Sequence, residues 1–124
     1  MLRALVRQNV ATSTGNLVFR RALLAQTGGF APLAICHDWD FVLAASYATR
    51  FAFVRERLYR YRLHGTNTFA GRPLAGREEG EQVVAGFLKG IGRHPWLNAA
   101  GRAEFLAFAR AAGLTGYLPR ELRK

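Results

Sequence analysis

The chain has 124 residues, half of them hydrophobic and 21% charged, with a formal net charge of +10. That length suits one domain, or part of one, with a real core, and the composition excludes wholesale disorder. It contains no run of about 18 apolar residues, which argues against a transmembrane helix, and its single cysteine, Cys36, excludes an internal disulfide and suits a reducing compartment.

Met1–Gln8 has Leu2, Leu5 and Val6 on one side and predicts about two turns of helix, stopped at Asn9. Arginines interrupt this start, so it makes a poor signal peptide, and the chain reads as cytoplasmic. Val10–Phe19, rich in Thr, Ser and Val, predicts an extended segment with close packing at Gly15. Arg20–Gln26 predicts a helix that Gly28-Gly29 ends in the left-handed conformation, and Phe30–Ile35 a loop. From Asp38 to about Thr49 the chain is apolar nearly all round, the mark of a buried helix.

Phe51–Arg55 and Leu58–Leu63 predict two strands, the second alternating Tyr59, Tyr61 and Leu63 against Arg60 and Arg62. Gly65–Ala75 predicts a loop and an internal boundary. Arg77–Ile91 places Val83, Val84, Phe87, Leu88 and Ile91 on one helical face, and His94-Pro95-Trp96 breaks it. Gly101–Ala112 predicts a second amphipathic helix closed by Gly113, and the tail is short and basic. The order is mixed α/β through residue 70, then a helical hairpin over 71–124.

Asp38 and Asp40 open the buried helix. Carboxylates there can serve structure alone, capping free N–H groups at about 0.5–2 kcal/mol. Alternatively one of them, held ionised by those amides, takes a proton from a substrate hydroxyl. Two positions along a helix turn them about 200° apart, so only one faces a given cleft. His64, in a Gly/Thr/Asn turn past a strand end, is either a solvated side chain or a metal or phosphate contact. Arg62 is either an exposed strand charge or a bidentate fork for a diphosphate. Trp39, Tyr59 and Tyr61 can stack on a sugar or base, or simply pack. Cys36 followed by His37 and Asp38 is no triad, because sequence neighbours are not a spatial constellation.

Taken together, Asn9, the run from Ser13 to Leu24, Gly28-Gly29-Phe30, His37-Asp38-Trp39-Asp40-Phe41 and Tyr61-Arg62-Leu63-His64-Gly65-Thr66-Asn67-Thr68 resemble the C-terminal half of family 2 glycosyltransferases. The resemblance covers Asn9–Thr68. It implies the C-terminal portion of a nucleotide-diphospho-sugar transferase (A-type glycosyltransferase) fold, of α/β class, with a helical extension.

It further implies that Asp38 is the general base activating an acceptor hydroxyl, with Trp39 and Asp40 beside the substrate. His37 stands where many members carry glutamate. Arg62 falls at the diphosphate and His64 at the diphosphate and metal. The implied ligands are a nucleotide-diphosphate sugar, an acceptor and a divalent metal, Mg or Mn, which this chain alone is not expected to hold.

The family's N-terminal nucleotide-binding units and a second Asp-x-Asp motif have no counterpart here: the eight acidic residues include none that form one upstream of Asp38. The chain therefore reads as a truncated enzyme, inactive until an upstream polypeptide completes it. The alternative is a non-catalytic remnant or interaction module whose helical hairpin binds a protein. Sixteen of the eighteen basic residues are arginine and are dispersed, so no specific nucleic-acid partner is expected. The excess charge still suits an anionic ligand, or peripheral contact with the inner face of a membrane.

Overall fold

The helix that begins at His37 has apolar residues on every side, and the rest of the chain wraps it. In the computed structural model, which describes residues 1–68 and 73–123, this helix is α3 (His37–Ala48). Phe41, Val42, Leu43, Ala45 and Ser46 are all buried along it. Before it come α1 (Leu2–Arg7), a 3-10 turn (Thr14–Asn16) and α2 (Ala22–Thr27); after it come α4 (Pro73–Gly90), a 3-10 turn (Ile91–Arg93) and α5 (Ala99–Ala111). Two further 3-10 turns, Thr115–Tyr117 and Arg120–Leu122, finish the described chain. Helices α1, α2 and α4 pack on α3, α5 packs on α1, and the Thr115–Tyr117 turn returns to α4.

Local chemistry accounts for the helix ends. Gly28, at φ +82°, and Gly29, at φ +80°, stop α2, and Gly113, at φ +71°, follows α5; these are left-handed positions that cost other residues strain. Asn98 caps α5, its Oδ1 accepting the Gly101 N–H at 2.8 Å. The amphipathic face of α4 is buried as its spacing requires, with Val83, Val84, Phe87, Leu88 and Ile91 inside. Phe105 and Ala109 of α5 join the same core as Leu5 and Val6 of α1 and Val42 and Leu43 of α3. Val83, Val84, Phe87, Leu88, Ile91, Phe105 and Ala109 of the C-terminal part are thus buried within the chain, while Leu74 of α4 stays 76% exposed.

The α/β expectation is corrected. Among the described residues there is no strand; the ordered elements are helices and 3-10 turns. Phe51–Arg55 and Leu58–Leu63 form no strand, and every residue from Arg50 to Thr66 is exposed. The only backbone–backbone hydrogen bond within that arm runs from the Leu58 N–H to the Glu56 carbonyl, at 3.1 Å.

Alternation prepares a strand, but a ladder needs a second one. An antiparallel pairing of the two runs about Glu56-Arg57 would set Arg60 against Phe53 and Arg62 against Phe51, and the structure does not form it. Val10–Phe19, expected to be extended throughout, contains the Thr14–Asn16 turn. The loop and boundary expected over Gly65–Ala75 lie partly outside the described residues, and Pro73 to Ala75 already belong to α4.

Leu88→Ala, at a fully buried site, should cost about 2–5 kcal/mol in urea unfolding. Leu58→Ala, at a 75% exposed site on the arm, should change stability by less than about 0.5 kcal/mol.

Candidate functional site

The N-terminal end of α3 gathers residues from four parts of the chain. Asn9, just past α1, donates from Nδ2 to Asp38 Oδ1 at 2.9 Å. Its own Oδ1 accepts the N–H groups of Ala11 (3.1 Å) and Thr12 (3.3 Å), which folds the turn where Thr12 takes φ 60°. Asn9 thereby couples the loop's shape to the position of the Asp38 carboxylate. Asp38 is 4% exposed and also accepts the Trp39 N–H at 2.8 Å.

One residue earlier, His37 Nε2 lies 3.1 Å from Thr14 Oγ1. Ser13 Oγ caps the Thr14–Asn16 turn by accepting the Gly15 N–H and sits 3.4 Å from the Tyr59 hydroxyl. Gly15 lets the Tyr59 ring come close: a Cβ there would lie 2.5 Å from its hydroxyl oxygen, and the exposed ring would have to shift. Phe30, beyond the Gly28-Gly29 stop, stacks on Phe41 with centroids 4.4 Å apart and meets His37 edge-on at 6.2 Å.

Glu79 of α4 fastens the approach to α3. Its carboxylate accepts the N–H groups of Ala34 (2.9 Å), Ile35 (2.8 Å) and Cys36 (2.9 Å). The Cys36 amide is the largest influence holding this carboxyl below the usual glutamate range; partial burial opposes it, while the Ala34 and Ile35 amides and His37 reinforce it. Burial pushes the Cys36 thiol up, aided by the charges of Glu79 and Asp38, and its Sγ points to the Gly76 carbonyl at 3.4 Å. A thiol kept protonated in this way is no nucleophile. Burial likewise raises Asp40.

The structure separates the other candidate residues by role. Trp39 is a brace: its indole N–H donates to the Leu5 carbonyl at 2.6 Å and its ring lies against Gly80. Arg62 and His64 are exposed. His64 takes its hydrogen bonds from its own turn, with Nδ1 2.8 Å from Thr66 Oγ1 and its N–H donated to Asn67 Oδ1 at 2.6 Å. Asn67 Nδ2 in turn donates to the Tyr61 hydroxyl and to the Arg62 carbonyl, each at 3.3 Å.

None of these bonds joins His64 to Asp38. What links its segment to the site is Tyr59, seated on Ser13 and Gly15. Among the described residues no three His, Cys, Asp or Glu side chains converge to hold a metal ion.

Glu79 was not singled out by sequence reasoning, since Glu78, Glu79 and Glu81 are alike on an exposed-looking helical face. Compared with protein-family models, curated proteins and solved structures, the chain matches none. No helix among the described residues is long and apolar enough to cross a membrane.

Because the folded Glu79 carboxyl is depressed, its contribution is complete above the unfolded glutamate value and is lost as pH falls through the folded one. Glu79→Gln should lower stability at pH 7 by about 1–2 kcal/mol. It should also flatten the loss of stability that the parent protein shows below about pH 4.3. Urea unfolding at stepped pH measures both.

Proposed function

We propose that the chain is the acceptor-side portion of an inverting glycosyltransferase, with Asp38 as the base that takes the proton of the acceptor hydroxyl. The supporting observation is the convergence at the start of α3. The segments that carry the family resemblance, around Asn9, Ser13–Gly15, Phe30 and His37–Phe41, meet there with Tyr59 of the arm. The helical fold itself supplies no support, so the reading stands on this assembly and on the residue types.

In the step proposed, the acceptor oxygen attacks the anomeric carbon, its proton passes to Asp38, and the bond to the diphosphate oxygen breaks. Asn9 holds Oδ1 of the carboxylate, which leaves Oδ2 as the atom to receive the proton. Arg62 and His64, both exposed, meet the negative charge that builds on the leaving diphosphate. Nucleotide recognition and the divalent cation come from a complementary polypeptide segment. Asp40, two positions on, is turned about 200° around α3 from Asp38 and does not face the same cleft.

Transfer is assayed with the chain joined to the polypeptide encoded immediately upstream, scanning nucleotide-sugar donors for release of nucleoside diphosphate. Asp38→Asn keeps the oxygen that accepts from Asn9 but removes the base. It should slow transfer by about 10²–10⁴-fold while the melting temperature stays within about 2 °C. An unchanged rate overturns the assignment, as does an upstream segment without nucleotide-binding units.

A further inference from the structure

The arm from Arg50 to His64 has an unusual combination of properties. It forms no helix or strand and all its residues are exposed, yet it is tethered in two places. Arg50 lies over the Trp96 ring, 5.0 Å from its centroid, and Tyr59 rests on Gly15 and Ser13. Large apolar side chains remain in water: Phe53 is 87% exposed, Leu58 75% and Leu63 83%.

Beyond the bend at Glu56, Leu58–Leu63 alternates like a strand but has no backbone–backbone partner outside the arm among the described residues. Apart from the Arg62 carbonyl, which accepts from Asn67 Nδ2, main-chain donors and acceptors without a backbone partner beside exposed apolar side chains form a template for another strand. The tethers pre-order the arm, which lowers the entropy lost on pairing.

Charge selects the occupant. Arg55, Arg57, Arg60 and Arg62 flank the open main chain against the single acid Glu56. A second copy of the arm carries the same excess of positive charge and is repelled by it, whereas an acidic strand would meet the arginines with opposite charge. We propose that Leu58–Leu63 is a docking strand that adds to the exposed edge of an acidic β-sheet in another polypeptide. The inference stands on the arm alone and involves no sugar chemistry, so its failure leaves the Asp38 assignment untouched.

The probe is a capped, fluorescein-labelled nine-residue peptide of alternating Glu and Val, titrated into the full chain by anisotropy. It is compared with the Lys/Val counterpart and with a Glu/Val peptide N-methylated at alternate amides. The Glu/Val peptide should bind at least about tenfold tighter than either. Amide hydrogen exchange should slow across Leu58–Leu63 when it binds. Arg60→Pro, which removes a main-chain donor, should weaken binding more than Arg60→Ala, which removes only the charge, with both variants melting like the parent.

Equal binding of the N-methylated peptide overturns the proposal, because attraction without main-chain pairing would then suffice. So does protection of the arm without peptide in a self-associated state found by sedimentation. Binding to phosphatidylglycerol vesicles that the Glu/Val peptide cannot displace overturns it as well.

Discussion

One carboxylate sets the direction in which the central helix starts. Glu79 receives three consecutive amides, Ala34, Ile35 and Cys36, at 2.8–2.9 Å, on the chain just before α3. A charged acceptor is stronger there than a neutral one, and the half-buried setting reduces competition from water. Gly76 and Gly80 lie on the same face of α4 as Glu79, at helical spacing. Gly76 accepts from the Cys36 thiol, and Gly80 leaves room for the Trp39 ring. Three successive contacts therefore fasten α4 to the first turn of α3. Asp38 lies within that turn, so the position of the candidate base is determined by a helix far from it in sequence.

This coupling makes the two parts of the chain one cooperative body. Residues from before and after position 70 share a single core, in which Leu5, Val42 and Leu43 meet Leu88, Ile91 and Phe105. A buried polar pair lies beside it: Ser46 Oγ is 3.1 Å from His94 Nε2, and both residues are at most 2% exposed. Burial pushes the His94 imidazole pKa down, which favours its neutral form, and the Tyr47 ring covers it at 4.5 Å between centroids. Ser46 keeps a hydrogen bond to the Leu43 carbonyl of its own helix, so sliding α3 would leave His94 Nε2 as the buried atom without a partner, which disfavours other helix registers.

The parts of this architecture that depend on nearest neighbours were legible in the sequence. The buried face of α4 follows from Val83, Val84, Phe87, Leu88 and Ile91, and the ends of α2 and α5 follow from Gly28 and Gly113. The strands were not legible, since alternation describes one chain while a ladder requires two. His94 read as part of a helix break at His94-Pro95-Trp96, and its place in the core depends on Ser46, which no local pattern reveals. At the start of α3, the order of motifs singled out Asp38 together with Asn9 and Gly15, and the structure brings those three parts of the chain together. The order of motifs could not distinguish Glu79 from its acidic neighbours or show that Trp39 is committed to the Leu5 carbonyl.

The two halves of the proposed chemistry are held with different firmness, and this has a consequence for assembly. Asp38 sits within the packed core, whereas Arg62 and His64 belong to an exposed arm whose link to the site is Tyr59 on Gly15 and Ser13. The distance between base and phosphate contacts is thus set by whatever holds the arm. Pairing Leu58–Leu63 with another strand would position the very segment that carries Arg62 and His64. A reaction needing both ends in register is sensitive to misplacement of about 1 Å. A polypeptide that pairs with the arm therefore also fixes where Arg62 and His64 lie relative to Asp38.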